Sequence, residues 1–412
     1  MSDVPVTAAG RPAAEATRAG GGLAATFVLA LGTFAVGTDA FVVAGFLPDM
    51  ARSLHVSTAT AGQSITVFAA AYAVLSPVLA TLTAPLSRRT LLVGALILLG
   101  LANLGSSLAP DFRTLILSRV LAAAGAAAYT PGAGAASAAL VRPELRARSL
   151  AVVVGGLTVA TALGVPLGQV ASGALGWRWA LGLVAALCLA VAAGVARIMP
   201  SLPGSPRVPL RARLTALRQP AVLAVLPLTV FGMGASYTVY AYSVEALGAV
   251  GVADSRHVWM LFLYGLGAVL GNFASGFGTD RWGSTRVLTA GYLTMAISLG
   301  GLGWLASAHS PPSALVGLVM VGWGASTWCQ TPAQQRRLIA AAPREAPLAV
   351  SLNSSCIYLG IGLGTLVGGA TLPTGVGTVC AVACGVAIVA LAFALATARV
   401  PGASATVTRG GR

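Results

Sequence analysis

Long apolar segments recur along the whole chain, and they constrain its fold more than any other feature of the sequence. Twelve segments are long and apolar enough to cross a bilayer, which takes about 20 residues of helix. They lie at 23–47, 61–84, 90–109, 114–139, 149–171, 178–199, 220–247, 256–279, 286–306, 313–333, 346–370 and 374–398. Charged residues make up only 8% of the 412 residues, against about 25% in soluble domains. The sequence therefore predicts an all-α polytopic membrane protein.

The basic residues are all arginine, and they are unevenly distributed among the connections between these segments. Every second connection carries several, such as Arg88 and Arg89 or Arg336 and Arg337, whereas the alternate connections carry one or none. Short cytoplasmic loops are enriched in basic residues, so the pattern predicts both termini on the cytoplasmic side of a bacterial plasma membrane. The same distribution argues against nucleic-acid binding despite a net charge of +15.

The longest polar connection divides the chain into nearly equal halves with six segments each. Two such halves predict a duplicated carrier that rocks around a site near the membrane midplane. We expect a monomer. Its predicted organisation is a disordered cytoplasmic tail (1–22), a first six-helix half (23–199), a cytoplasmic linker (200–219), a second six-helix half (220–398) and a second cytoplasmic tail (399–412).

One carboxylate, Asp39, lies within the first apolar segment. An ionisable residue in a span costs about 2.5 to 3.5 kcal/mol on insertion scales and is tolerated mainly where it faces a bundle interior or a watery path. At 1.5 Å per residue, Asp39 lies about 24 Å above the inner end of its span, and Arg119 lies about 7 to 8 Å below the outer end of the fourth, at nearly the same depth. Two hypotheses follow. Asp39 is a proton-coupling carboxylate, ionised near Arg119 in one access state and neutral in the other, or the two residues form a permanent structural ion pair.

Further polar side chains within the spans are candidates for a substrate cavity. They are Tyr72, Tyr237, Tyr240, Glu245, Asn272 and Asn353. Glu245 lies near the end of the seventh segment, so it either contacts a substrate or proton or simply reaches the interface. Asn353 either lines the cavity or bonds a neighbouring helix.

The chain contains no motif of an enzyme or of an ATP-driven pump. A P-loop requires a lysine, and the sequence has none. Its three histidines are far apart and lack the spacing of metal ligands. We expect no metal and no cofactor. The expected partners are a small-molecule substrate, protons and the lipid bilayer.

The connection after the eighth segment carries the pattern Gly276-x-x-x-Asp280-Arg281-x-Gly283-x-x-Arg286. This pattern resembles the signature loop of the major facilitator superfamily. The corresponding loop of the first half keeps its arginines but lacks the acid and the glycines. The resemblance implies twelve helices in two six-helix pseudo-repeats, and it implies that these loop residues act in gating and helix packing.

The fifth segment contains Gly164-Val-Pro166-Leu-Gly168, which is similar to the glycine-proline motif of exporters that exchange substrate for protons. Together with Leu115-x-x-x-Arg119 in the fourth segment, it makes the chain resemble the twelve-span drug:proton antiporter branch, including the arabinose, purine-nucleoside and chloramphenicol efflux permeases. The resemblance implies a proton-driven exporter of a small amphipathic molecule such as a drug, an antibiotic or a sugar-like metabolite. The alternative is an uptake carrier or a non-transporting sensor on the same fold.

Overall fold

The computed structural model describes residues 11–204, 219–308, 312–342 and 346–398, and these residues are helical without any β-strand. The second predicted tail, most of the predicted linker and the first ten residues lie outside the described residues.

The first half contains eight helices. They are α1 (Arg11–Val42), α2 (Leu47–Ser53), α3 (Thr58–Leu82), α4 (Arg88–Ser107), α5 (Phe112–Ala139), α6 (Arg146–Val159), α7 (Val165–Leu175) and α8 (Trp177–Ile198). A 3-10 turn, Val43–Gly45, follows α1, and a π-helical turn, Ala160–Gly164, joins α6 to α7 in one continuous span.

The second half also contains eight helices within the described residues. They are α9 (Pro220–Leu223), α10 (Leu226–Tyr240), α11 (Ser243–Ala249), α12 (Asp254–Trp282), α13 (Ser284–Ser307), α14 (Ser313–Ala341), α15 (Ala346–Thr371) and α16 (Val376–Thr397).

In the part of the chain that the structure describes, nine helical segments are long and apolar enough to span a bilayer by length and composition alone. The predicted fourth, seventh and tenth spans are also helical, but they are less apolar or interrupted. Helix α5 carries Arg119, α14 carries Gln330 and Gln334, and the seventh span is divided among α9, α10 and α11. The three predicted spans that are not among these nine thus each carry polar side chains or a helix break.

Helix α1 begins at Arg11, within the segment 1–22 that was predicted as a cytoplasmic tail. One predicted span boundary is wrong. The seventh span was predicted to continue to residue 247, but α10 ends at Tyr240. The backbone leaves the helical region at Tyr242 (φ −114°, ψ 29°), and Glu245 lies on the separate short helix α11.

Side-chain caps fix where several helices begin. The backbone N–H of Thr60 donates to Ser57 at the start of α3, and that of Thr114 donates to Asp111 at the start of α5. The second bond, 2.8 Å long, lowers the pKa of the Asp111 carboxyl because it stabilises the ionised form. The cap sets the first turn of α5, the helix that carries Arg119.

Irregular positions repeat between the two halves. Pro131 in α5 and Pro332 in α14 each lie 19 residues after the first residue of their helix. Gly176 and Gly375, with φ angles of 90° and 105°, form the turns between the last two spans of their respective halves. Only glycine adopts such angles without strain. These matches support a structural duplication of six spans plus six.

The two ends of the bundle differ in charge. The connections at 54–57, 108–111 and 250–253 form what we call the arginine-poor end, and those at 83–87 and 140–145, with their flanking residues, form the arginine-rich end.

The two halves pack closely between the middle of the bundle and the arginine-poor end. Helix α3 lies along α15, α12 crosses the π-helical turn, and α11 contacts both the 3-10 turn and α2. A Cβ placed on Gly265 of α12 would lie 2.3 Å from the Cα of Ala162, so the two backbones are nearly in contact there. The arginine-poor end is therefore closed in this conformation.

Candidate functional site

Asp39 and Arg119 form an ion pair inside the first half. Arg119 Nη1 donates to Asp39 Oδ1 at 2.6 Å, and Arg119 Nη2 lies 3.3 Å from the Asp39 carbonyl oxygen. The exposed fractions of the two side chains are only 1% and 0%. The contact agrees with the depths predicted from the sequence. It leaves Asp39 Oδ2 and Arg119 Nε without hydrogen-bond partners, so the buried pair is only partly satisfied.

Aromatic rings surround the pair on its α3 and α15 sides. The guanidinium carbon of Arg119 lies 4.6 Å from the centre of the Phe68 ring, a cation–π geometry. Phe68 contacts Tyr358 of the second half, and the Tyr358 ring stacks on Tyr72 with centroids 3.6 Å apart. Predicted cavity residue Tyr72 thus lies in an aromatic contact between the halves, next to the ion pair.

Close packing against two other spans holds α1 in position. On one side, Tyr129 of α5 donates to the Leu29 carbonyl at 3.1 Å. On the other, a Cβ on Gly156 would lie 2.2 Å from the Ala30 carbonyl oxygen. The absence of a side chain at that glycine lets α6 touch the α1 backbone. Helix α1 therefore has little freedom to move without its neighbours.

The predicted glycine-proline motif continues this contact at the depth of Asp39. A Cβ on Gly164 would lie 2.7 Å from Thr38 Oγ1, and one on Gly168 would lie 1.8 Å from Val42 Cγ2. Pro166 lies in the first turn of α7, directly after the π-helical turn. The motif therefore packs on the part of α1 that carries the buried acid.

A second aromatic cluster lies between the halves, near Asp39. Phe41 of α1 contacts Tyr237 of α10 and Trp328 of α14, with centroid distances of 6.3 Å and 5.9 Å. Predicted cavity residues Tyr237 and Tyr240 lie together with centroids 5.0 Å apart. Ring contacts continue from them to α12 and α14. We call this set the aromatic cluster; its members are Phe41, Tyr237, Tyr240, Tyr264, Trp323 and Trp328.

Several polar atoms of this cluster are buried without hydrogen-bond partners. They include Tyr237 Oη, and Thr38 Oγ1 of α1 is in the same condition, whereas Tyr264 Oη and Trp328 Nε1 lie near each other without a hydrogen bond of good geometry. An unpartnered buried polar group costs about 1 to 3 kcal/mol, so such groups are usually satisfied. Apolar rings with a few free polar atoms have the composition of a small-molecule site.

The two predicted asparagines lie elsewhere. Asn272 of α12 donates to Thr158 Oγ1 of α6 at 3.5 Å, which joins the two halves. Asn353 of α15 accepts a 2.8 Å hydrogen bond from Thr229, and Gln334 also donates to Thr229. Asn353 therefore belongs to a polar contact between helices of the second half, the alternative to a place in the cavity.

The acid of the predicted loop motif pairs outside the motif. Asp280 at the end of α12 forms an ion pair with Arg336 of α14, at the arginine-rich end. The neighbouring Arg281 is exposed. The ion pair joins α12 to α14 within the second half.

The motif glycines have different structural roles. Gly283 has a φ of 86° and forms the turn between α12 and α13, as expected for glycine. Gly276 has no atom within 4 Å of where a Cβ would stand. No neighbouring helix therefore approaches Gly276 closely in this conformation. Arg286 is exposed and lines a groove of about 420 Å³ between α12, α13 and α14.

Four members of the aromatic cluster were not predicted from the sequence. Phe41 follows Asp39 by two residues, and Tyr264, Trp323 and Trp328 lie well inside their helices. Tyrosine and tryptophan are usually enriched at the membrane interfaces. The position of these aromatic residues in the middle of spans, rather than at the interfaces, was the feature of the sequence that could have indicated the cluster.

The fold and the buried charged pair define a membrane transporter of two six-helix halves. Among the described residues, no group of three or more His, Cys, Asp or Glu side chains could hold a metal ion. The sequence profile of the Major Facilitator Superfamily matches residues 29–332 and 249–411. The chain belongs to the major facilitator superfamily, whose members are transporters and not enzymes.

Relatives in this superfamily match most of the chain. The inner membrane transport protein YdhP of Escherichia coli is 32% identical over 352 residues, which cover 85% of this chain and 89% of YdhP. The chloramphenicol resistance protein of Streptomyces lividans is 32% identical over 355 residues, with 84% and 88% covered. The uncharacterized MFS-type transporter YbcL of Bacillus subtilis is 30% identical over 344 residues, with 83% and 87% covered.

Solved structures show the same fold at low sequence identity. A D-xylose-proton symporter superposes with a TM-score of 0.73 at 16% identity, covering 90% of this chain and 97% of that one. A bacterial homologue of the human lysosomal transporter Spinster, in an inward-facing and unoccupied conformation, gives 0.69 at 18% identity, with 95% and 98% covered.

Proposed function

We propose that this protein is a proton-coupled exporter of a small amphipathic molecule such as a drug, an antibiotic or a sugar-like metabolite. The observation that carries the proposal is the buried Asp39–Arg119 pair, located beside an aromatic cluster that contains unpartnered polar atoms. A titratable group next to a small-molecule cavity is the arrangement that proton-coupled transport requires.

Proton coupling follows from what surrounds Asp39 in each conformation. With the arginine-poor end closed, the Asp39 carboxylate is paired with Arg119. When rocking of the halves moves Tyr358 of the second half away from the pair and admits water from the arginine-poor side, the carboxyl binds a proton from there and gives up its bond to Arg119. The return movement restores the pair and releases the proton toward the arginine-rich end.

Export is supported by two further features. The loops at the arginine-rich end have the composition of cytoplasmic loops, which supports a cytoplasmic location for that end and for both termini. The conformation closed at the arginine-poor end then receives substrate from the cytoplasm. A relative named for chloramphenicol resistance makes chloramphenicol the first compound to test.

The side chains of the aromatic cluster favour a neutral, partly aromatic substrate. The rings of the aromatic cluster can stack on a flat apolar group, while Tyr237 Oη, Tyr264 Oη and Trp328 Nε1 offer hydrogen bonds to its polar substituents. The residues of the aromatic cluster carry no formal charge, and in the part of the chain that the structure describes the charged pair beside them is Asp39 and Arg119.

The test is transport in everted membrane vesicles, in which the vesicle interior corresponds to the outside of the cell. Candidate substrates come from a growth-inhibition panel in a pump-deficient bacterium that expresses the chain. An exporter accumulates labelled substrate when the vesicle interior is acidified, and a protonophore abolishes the accumulation. An uptake carrier gives flux of the opposite sign, and a sensor binds the compound without flux. Either of these results would refute the proposed function.

A further inference from the structure

Glu245 lies where the two halves meet at the arginine-poor end. Its helix, α11, is separated from α10 by the break at Tyr242, and it contacts α2 and the 3-10 turn of the first half. The Tyr242 side chain is part of the same closure. A Cβ on Gly62 of the first half would lie 2.2 Å from Tyr242 Oη, and one on Gly369 would lie 2.5 Å from it. Tyr242 therefore occupies a socket formed by glycines of α3 and α15, and Glu245 is three residues away.

The carboxylate of Glu245 has no partner in this closed interface. Both of its oxygens are buried, and neither accepts a hydrogen bond of good geometry, although the backbone N–H of Glu245 itself lies near them. The side chain of Thr58, at the start of α3, lies near it without forming a hydrogen bond of good geometry. No described ion pair includes Glu245, in contrast to Asp39. An ionised carboxylate in such a place costs several kcal/mol, whereas the neutral acid avoids most of that cost.

The titratable groups on the surrounding elements are engaged elsewhere. On α2, Asp49 and Arg52 pair with each other at the surface. On α12, Arg256 donates to Ser313, His257 bonds the Val252 carbonyl, and Asp254 is fully exposed.

On the connection before α3, His55 is exposed. On the segment before α11, Tyr242 donates to the Thr365 carbonyl, and on α10 the facing titratable residues are the tyrosines of the aromatic cluster. The described ends of α13 and α16 that pack here carry no Asp, Glu, His or Arg.

We propose that Glu245 is a second proton-binding site, separate from Asp39, and that its protonation holds the arginine-poor end closed. When the halves separate at this end, Tyr242 leaves its socket and water reaches Glu245, which then ionises. In the closed state the proton is trapped in the interface. Glu245 therefore exchanges protons only with the compartment at the arginine-poor end, and it sets the response of the gate to pH there rather than carrying a proton across.

Under the proposed function Asp39 binds a proton when the same end opens, so replacement of Asp39 by asparagine isolates the pH response of Glu245. For a single proton bound on closure, the ratio of closed to open molecules changes by at most about tenfold per pH unit and rises as the pH falls. The inference relies on the alternating-access part of the proposed function, but not on its direction or its substrate.

The test measures the gate directly in the full chain. After replacement of the five native cysteines by alanine and of Asp39 by asparagine, which removes the opposing proton uptake by Asp39, spin labels are attached to Leu108→Cys of the first half and Thr374→Cys of the second, both exposed at the arginine-poor end. Pulsed electron–electron double resonance in nanodiscs gives the distance distribution from about pH 5 to about pH 9. We expect this Asp39→Asn protein to gain a longer-distance population as the pH rises.

Glu245→Gln reproduces the shape of the neutral acid without its titration, so its distribution should stay at the short distance at every pH. The matched control is Glu144→Gln, the same substitution at an exposed acid of the arginine-rich end, which should keep the original response. In the Asp39→Asn background, a pH response that survives in Glu245→Gln would overturn the proposal, as would no response in the protein that keeps Glu245. A Glu245→Gln protein that fails to fold would also contradict it, because a glutamine should replace a neutral acid without harm.

The result is separable from the proposed function. If Glu245→Gln behaves as expected but Asp39→Asn keeps full gradient-driven transport, only the assignment of coupling to Asp39 fails. If the gate ignores pH in the Asp39→Asn background but Asp39→Asn abolishes coupling, only the role of Glu245 fails.

Discussion

Removal of one partner of the Asp39–Arg119 pair should be costly, whereas removal of both should not. Arg119→Met leaves Asp39 buried with neither carboxylate oxygen paired, because Oδ2 is already without a partner and Oδ1 loses its bond to Arg119. Breaking a buried pair in this way costs about 3 to 5 kcal/mol of unfolding free energy.

The two single substitutions should differ in cost. Asp39→Asn leaves Arg119 with the Asp39 backbone carbonyl at 3.3 Å and the Phe68 ring at 4.6 Å, so its penalty should be smaller than that of Arg119→Met. The double variant leaves no charge at either position and should be close to the unsubstituted protein. The coupling energy of the cycle should therefore be several kcal/mol.

Protonation adds a second signature. In Arg119→Met the unpaired carboxyl binds a proton when the protein folds, so this variant should gain stability as the pH falls. The double variant has no such acid and should lack this dependence.

The assay is equilibrium chemical unfolding in detergent micelles at two pH values. The exposed pair Asp49–Arg52, with exposed fractions of 45% and 78%, serves as the control through Asp49→Asn, Arg52→Met and their combination. Its coupling energy should not exceed about 1 kcal/mol. If the effects of Asp39→Asn and Arg119→Met are additive, or no larger than those of the control pair, the two residues are not an energetically coupled buried pair.

Three further predictions concern the neighbours of this pair. Gly168→Ala inserts a Cβ 1.8 Å from Val42 Cγ2 and should lower both thermal stability and transport, while Gly173→Ala in the same helix has open space and should change neither. Tyr237→Phe removes a buried, unpartnered hydroxyl, so it should keep or raise stability but increase the substrate KM several-fold; an unchanged KM would exclude a substrate contact. Asp111→Asn keeps an N-cap but removes an acid whose pKa is lowered, so the loss of stability as the pH falls through that pKa should be smaller than in the unsubstituted protein; identical acid unfolding curves would refute this.

The Asp39–Arg119 contact was within reach of the sequence because it depends on depth. Helix rise fixes how far along a span each residue lies, and the cost of burying a lone charge favours a partner at the same level. The rotation of α1 about its axis was not predictable from depth alone. It is fixed by glycines such as Gly156 and Gly164, which let α6 and the π-helical turn touch the α1 backbone.

The aromatic cluster and the break before α11 were beyond such reasoning. Contacts such as Phe41 with Trp328 depend on how the two halves dock, and no local pattern encodes that geometry. No proline in the sequence near Tyr242 predicts the helix break there. It becomes understandable only from the socket at Gly62 and Gly369, which belongs to helices far away in the sequence. Asn353 illustrates the same limit, since its partner Thr229 lies on another span.

The most direct test of the central claim compares two modes of transport by Asp39→Asn in proteoliposomes. One mode is accumulation of labelled substrate driven by an imposed pH gradient, and the other is exchange of labelled for unlabelled substrate without a gradient. If Asp39 couples proton movement to export, the variant should lose accumulation and retain exchange, whereas Asp49→Asn should keep both. Gradient-driven accumulation at the unsubstituted rate in Asp39→Asn would contradict the account.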